Sequence, residues 1–459
     1  MIEQAEPFVV SADWIVPVES EPIPNGFVVI ARGTILYVGN DLPPEFLALK
    51  LFRLTGHAIL PGLVNSHCHL EFSDLPEPIP AGDSFPDWIR RLLTHRKSKG
   101  DDSEQIAISR CAAIKCGIRE SYEAGVRWIV DMTTQPWDPD WIESCVKEIH
   151  ASLPQSYAPK NPIAIQPCIE FLDLSKNQFE LSVSFAEKQA NAPESDQIGR
   201  IGYAPHAPYT ASRNVTKLCA EQSLAQSRLV TMHLAESVDE MEWLRDRGGA
   251  FLDLLGPFIS PDYFSTLGQV SEHVQLLKQA WRATVAHGNY LSNSDLYDLA
   301  SHSENMAVVH CPRTHRHFGH RHGARLQYSL AERIASGVRH FIGTDSRASN
   351  PDLNLWSEVK LVRTNHPSVS SLEILKMITT DAAEFLGISD RYGFIRPGQP
   401  STLTAIKFSE DCLSLNSTVD AERVYDALLA SNTVSAPLEM VIANGERWIW
   451  PVSLRSSSP

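Results

Sequence analysis

The chain changes its hydrophobic rhythm twice. Near the N-terminus, runs rich in Val, Ile, Phe and Tyr are separated by Gly, Pro and Asn: "FVVSADWIV", "GFVVIARGTILYVG" and "LFRLTGHAILPG". That is the pattern of short strands joined by turns. The C-terminal segments "TLTAIKF" and "LEMVIANGERWIW" return to it. Between them, helical stretches such as "SEQIAISRCAAIKCGIRESYEAG" alternate with short apolar runs. Eight such runs fall between residues 58 and 350, beginning "AILPGLVNSH", "RWIVDM", "IAIQPCIEF", "RIGYAPH", "LVTMHLAE", "ATVAHG", "MAVVHCP" and "RHFIGTD". Alternating strand and helix implies parallel strands with crossover helices. Eight of them close a barrel of about 250 residues. The prediction is an α/β protein: a (β/α)8 TIM barrel over residues 58–392, inserted into a small β-sandwich domain built from residues 1–57 and 393–459. "SLRSSSP" at the end reads as a disordered tail.

Nearly every predicted barrel strand ends in a chemically capable side chain. The first runs into His67 and His69, which share one face of an extended strand. The fourth ends at His206, the fifth at His233 with Glu236 after it, the sixth at His287, the seventh at His310 and the eighth at Asp345. The C-terminal strand ends of a barrel form its active-site face, so these residues converge. A single core histidine explains any one of them, but not the whole series.

Three imidazoles (His67, His69, His233) and the Asp345 carboxylate suit one divalent metal ion, Zn²⁺ first and Fe²⁺ as the alternative. Such an ion lowers the pKa of a bound water from ~15.7 to roughly 7. Glu236 is placed to take that water's proton and return it to a leaving nitrogen. His287 would orient the water or polarise the bond under attack, and Asp345 would also accept a proton.

The ordered set "PGLVNSHCHLE", "APHAPYTAS", "MHLAES", "VAHGNYL", "HCPRTH" and "IGTDSRASN" resembles the amidohydrolase superfamily. The similarity is greatest to the branch holding cytosine, guanine and adenosylhomocysteine deaminases and the triazine hydrolases, and it runs from about residue 8 to about 450. The resemblance implies that His67, His69, His233 and Asp345 hold one metal, that Glu236 shuttles the proton, and that His287 faces water and substrate. It also implies a homodimer. Binuclear relatives carry a carboxylated Lys or a bridging Glu late in strand three or four. Here no Lys stands there, and Glu170 in "CIEFLD" reads as a solvated or helix-capping carboxylate, so a second metal is not expected.

The implied reaction is attack of metal-bound hydroxide on a C–NH₂ carbon of a purine-like heterocycle, with release of ammonia. Hydrolysis of a ring amide (imidazolonepropionase-like) or of a C–Cl bond (chlorohydrolase-like) would use the same site. A non-catalytic relative would have lost a ligand or the shuttle, and all are present here.

The segment after strand seven departs from the family's "CPxSN" and reads "HCPRTHRHFGH". Arg313 offers a planar fork for a carboxylate or phosphate, with pairing to an acid such as Glu358 as the competing reading. Phe318, Tyr209 and Trp88 are candidate flat walls for a heterocycle, against ordinary core or rim packing. His206 resembles a substrate-contacting position. The run His310, His317, His320 and His322 is not read as a metal site. "CPRTHxxFGH" is similar to the aminodeoxyfutalosine deaminases, whose substrate joins an adenine to a benzoate that Arg313 would hold.

Charge and cysteines narrow the setting. A formal net charge of −15 argues against nucleic acid or an anionic membrane as the main partner and leaves a small molecule. No apolar run has membrane-spanning length, and "MIEQAEPFVV" is no secretory leader. The eight cysteines are scattered without a CxxC pair, as in a reducing compartment, so the expected location is cytoplasmic.

Overall fold

The computed structural model describes residues 6–100, 102–153, 159–190, 195–259, 261–319, 328–408, 420–430 and 432–444. Five strands precede the barrel: β1 (Phe8–Ile15), β2 (Ile23–Pro24), β3 (Phe27–Ala31), β4 (Thr34–Gly39) and β5 (Lys50–Pro61). The barrel strands are β6 (Leu63–Cys68), β7 (Val126–Thr133), β8 (Ala164–Phe171), β9 (Gly202–Pro205), β10 (Leu229–Leu234), β11 (Arg282–His287), β12 (Met306–His310) and β13 (His340–Ile342). Two more follow, β14 (Leu403–Lys407) and β15 (Val434–Pro437).

β6 to β13 pair in chain order, each parallel to the next. Side chains alternate between the two faces of each strand. One set, including Val64, Trp128, Val130, Cys168, Val309 and Phe341, fills the interior. Helix Thr380–Leu386 seals the end where the strands begin, its Phe385 ring lying 5.1 Å from that of Phe341. The alternate set, such as Ile129, Ile165, Val230, Val285 and Val308, packs with the surrounding helices.

The chain ends form a separate sheet in the order β15-β14-β5-β1-β3-β4, with β2 on the side of β1. Its boundary with the barrel is Gly62. β5 stays paired to β14 as far as Pro61, so residues 58–61 belong to this sheet and not to the first barrel strand. A Cβ at Gly62 would lie 2.0 Å from Arg127 Cγ, so only glycine fits the switch. The C-terminal run expected as a strand is a helix over Leu438–Asn444. Leu438, Val441 and Ile442 have helical spacing and join the sheet's apolar cluster. Buried Arg127 on β7 ties the two parts together, donating to Glu439 Oε2 at 2.8 Å and to the Leu403 carbonyl at 2.7 Å. Among the described residues, no helix is long and apolar enough to cross a membrane.

The barrel closes where its last strand meets its first. The Asp345 N–H donates to the His67 carbonyl at 3.0 Å, and Cys68 and Asp345 form a parallel bridge. Asn65 fastens the same seam, donating to Thr344 Oγ1 at 2.8 Å and accepting the Thr344 N–H at 3.1 Å. Gly343 permits the approach, since a Cβ there would lie 2.7 Å from His67 Cβ and 2.8 Å from its carbonyl oxygen. Gly343→Ala is therefore expected to force the seam apart. Urea denaturation should show a loss of about 1–3 kcal/mol, with less metal retained after dialysis. Parent-like values in both measurements would mean that the seam yields freely.

Candidate active site

Parity along the strands decides which side chains reach the mouth. On β10, Leu229 is interior while Val230 and Met232 face the helices, so His233 points inward. The same count turns Glu170 inward from Ala164 and Cys168, and His206 inward from Ala204. It turns His310 outward. Val309 is interior, and the His310 ring stacks on buried Tyr328 at 4.0 Å. His310 thus leaves the convergent set to which its strand-end position had assigned it.

Local backbone irregularities place the others. β6 shifts register between Asn65 and Cys68, and His67 and His69 both reach the mouth, their ring centroids 5.1 Å apart. Ala235, His287 and Asp345 have φ of 54°, 68° and 57°, the left-handed region. Such a conformation costs a non-glycine residue roughly 1–2 kcal/mol and persists where its surroundings hold it. At His287 it redirects a side chain that follows Ala283 and Val285, both of which face the helices.

The donor atoms converge. His69 Nε2 lies 3.0 Å from His233 Nε2 and 3.5 Å from Asp345 Oδ1, and His67 Nε2 lies 3.7 Å from that oxygen. His287 Nε2 is 3.5 Å from Glu236 Oε1. Asp345 presents Oδ1 because Oδ2 accepts from Thr314 Oγ1 at 3.0 Å and Ser349 Oγ at 2.9 Å. His233 presents Nε2 because its Nδ1 donates to the His206 carbonyl at 3.0 Å. Glu240 braces the turn carrying Glu236, accepting the Ala235 N–H at 2.9 Å and the Glu236 N–H at 2.8 Å. Thr314, Ser349 and Glu240 were not singled out from the sequence. The Glu at i+4 from Glu236 was the one visible signal.

All six central side chains are buried. Burial, then the neighbouring imidazoles, lowers the pKa of His67 and His69 well below the ordinary value, and burial takes His233 down to about 4. The three rings are therefore neutral lone-pair donors. Burial pushes Asp345 up to about 6 against its two hydroxyl hydrogen bonds. It also holds Glu236 well above the usual carboxylate range, with Asp345 and Glu240 adding to the effect.

A divalent cation fits this set. Both ring nitrogens of His67 are buried without a hydrogen-bond partner, a cost of about 1–3 kcal/mol for a group left so. Coordination at Nε2 would satisfy one of them. Neutral imidazoles with one carboxylate oxygen are ligands that zinc and iron accept. Glu236 and His287 come within 4.8 Å of members of the same set and border it. Glu170, His206 and His233 form another close trio. However, His233 Nδ1 is already bonded and its Nε2 faces His69, so this histidine has no free nitrogen for a second ion. Glu170 itself is 7% exposed, with burial raising its pKa, and is neither solvated nor a helix cap.

A cleft of about 460 Å³, open mouth included, lies over Glu236 and is bordered by Phe85, Tyr290 and Phe318. Trp88 and Tyr209 do not border it. Trp88 Nε1 donates to the Ala348 carbonyl at 3.3 Å, and Tyr209 packs on Phe251 at 4.6 Å, both as core aromatics. The His206 ring sits 5.2 Å from that of His233.

Arg313 turns away from the mouth. Its Nε donates to Glu358 Oε1 at 2.7 Å and its Nη2 to Asp352 Oδ1 at 2.7 Å. Glu358 is fully buried and needs a cation beside it, so the guanidinium is committed and does not clamp substrate. His317 bonds the Ile79 carbonyl at 2.9 Å. His320 and His322 lie outside the described residues.

A parallel barrel that gathers neutral lone pairs and a carboxylate at its C-terminal mouth is an architecture of metal-dependent hydrolases. Residues 58–447 match the Amidohydrolase family, and the chain belongs to it. It is 26% identical over 439 residues to the 5-methylthioadenosine/S-adenosylhomocysteine deaminase of Pyrococcus furiosus, covering 91% of each chain. Its fold is similar to that of Helicobacter pylori aminofutalosine deaminase in complex with methylthio-coformycin, with TM-score 0.74, 20% identity, and 93% and 97% of the two chains covered. It is also similar to a Xanthomonas campestris adenosine deaminase with bound zinc, with TM-score 0.68, 18% identity, and 94% and 90% covered.

Metal analysis of the purified protein is expected to find one divalent ion per chain. Thr314→Ala and Ser349→Ala each remove one of the two hydrogen bonds that fix Asp345 Oδ2, and the double variant should weaken metal binding about 10- to 100-fold in chelator competition. Parent-like affinity in the double variant would show that these hydroxyls do not orient Asp345 for the metal.

Proposed function

We propose that the protein is a metal-dependent aminohydrolase that exchanges the amino group of a purine-type ring for oxygen and releases ammonia. The observation that carries this reading is Glu236, a buried carboxyl between the ligand set and the cleft, paired with His287 at 3.5 Å. The deaminase names of the relatives support it. The substrate ring would lie between Phe85, Tyr290 and Phe318 as aromatic walls.

His67, His69, His233 and Asp345 would hold the ion, with zinc favoured by the donor set. When bound, it supplies positive charge and a water acidified from ~15.7 to roughly 7. Glu236 would take one proton from the attacking water as the C–O bond forms and pass it to the adjacent ring nitrogen. The same carboxyl then moves the second proton from the new hydroxyl to the amino group. The C–N bond breaks, NH₃ departs, and the ring is left with C=O and N–H. His287 orients the attacking oxygen towards the ring carbon.

Zinc-loaded protein is expected to release ammonia from at least one of methylthioadenosine, S-adenosylhomocysteine, aminofutalosine and adenosine, in a panel that also holds guanine and cytosine. Glu236→Gln should keep metal and fold while kcat falls at least ~10²-fold. Unchanged turnover would remove Glu236 from proton transfer. If the panel stays silent while a triazine releases chloride or a cyclic amide opens, the hydrolase reading stands and the deaminase reading falls.

A further inference from the structure

The turns that follow β10 and β11 are laced together beside the mouth. Three consecutive carbonyls of the first turn each accept from the second. The Leu234 carbonyl takes the Gly288 N–H and the Ala235 carbonyl takes the Tyr290 N–H, both at 3.0 Å. The Glu236 carbonyl takes an N–H of Asn289 Nδ2 at 2.9 Å. The first two are main-chain bonds. The third, on the residue that carries the shuttling carboxyl, depends on a side chain.

His287 and Gly288, with φ of 68° and 59°, bend the chain so that Asn289 returns to the end of β10. Buried Arg333 clasps that bend, donating Nη1 to the Gly288 carbonyl at 2.9 Å and Nη2 to the Asn289 carbonyl at 3.4 Å. Its guanidinium lies 4.0 Å over the Tyr328 ring. Asn289 is 8% exposed. It stands in sequence between His287, whose Nε2 is 3.5 Å from the Glu236 carboxyl, and Tyr290, which borders the cleft.

The Asn289 amide has one workable orientation. The end facing the Glu236 carbonyl is the NH₂, because an oxygen there would meet another oxygen. Oδ1 therefore faces His315 Nδ1 at 3.0 Å, and that nitrogen is the donor. The Glu236 N–H is held by Glu240 Oε2 at 2.8 Å. The main chain of Glu236 is thus gripped on both sides while its carboxyl stays free to turn. A carboxyl that serves two atoms in succession needs a fixed root and a movable head.

We propose that Asn289, oriented by His315, is the positioning residue that holds Glu236 within reach of both the attacking water and the leaving nitrogen. This rests on the shuttle role of Glu236 in the deaminase reading. Asn289 acts through Glu236, so its loss slows proton transfer without weakening the hold on the substrate.

The test is a double-mutant cycle on the zinc-loaded enzyme. Asn289→Leu keeps the volume of the side chain and removes its donor. It should lower kcat about 10- to 100-fold, the scale of a misplacement of about 1 Å, with KM within about 3-fold of the parent. Combined with Glu236→Gln it should add no further loss. His315→Asp puts an acceptor where the donor stood and should behave as Asn289→Leu does. His315→Asn, whose NH₂ replaces Nδ1–H, should keep most of the parent kcat. Unchanged kcat in Asn289→Leu and His315→Asp would overturn the proposal. So would losses that multiply with that of Glu236→Gln, the mark of a general brace. Unchanged turnover in Glu236→Gln would instead overturn the shuttle reading and take the proposal with it. If the parent turns over no substrate of the panel, crystal structures of the parent and the two variants decide. A Glu236 carboxyl displaced by about 1 Å or more, with His67, His69, His233 and Asp345 unmoved, supports the proposal. An unmoved Glu236 overturns it.

Discussion

The hydrogen bond from the Asp345 N–H to the His67 carbonyl joins the last barrel strand to the first, and each residue also offers a donor atom to the centre. Closure of the barrel and assembly of the site are therefore one event. In an open sheet these residues would stand at opposite edges, and no local segment would bring them together. The seam's other features serve the same approach: Gly343 has no Cβ to strike His67, and the Asn65 amide reaches across to Thr344. Stability invested in closure is recovered as positional accuracy at the mouth, which is the requirement of a site whose donors must meet within a few tenths of an ångström.

Burial sets the chemistry of what is assembled. A solvent-poor pocket disfavours charged side chains, so the imidazoles are neutral and carboxyl protons are held more tightly than usual. Neutral nitrogen is the form a metal needs, and a carboxyl whose pKa is raised above the ordinary carboxylate range accepts a proton more readily, as a proton shuttle must. The helix Pro312–Phe318 shows how finely the surroundings are divided. Arg313 neutralises Glu358 behind the wall, while the next residue, Thr314, turns to the mouth and fixes the idle oxygen of Asp345. Swapping those two directions would leave one buried carboxylate without its cation and the other without its orientation.

The period-2 and period-3.6 patterns carried the barrel, because alternation and crossover spacing are local properties of the chain. Parity also held more than the strand ends alone revealed. Counting from interior Cys168 places Glu170 inward, and counting from Val309 sends His310 outward, a distinction that position at a strand end does not carry. Other features depend on backbone turns that residue types do not announce. His287 and Asp345 reach the mouth through left-handed conformations at non-glycine positions. The fate of Arg313 turned on Glu358, 45 residues away, whose complete burial is a tertiary fact. The strand switch at Gly62 and the helix over Leu438–Asn444 were masked by continuous apolar runs, which strands and short helices share.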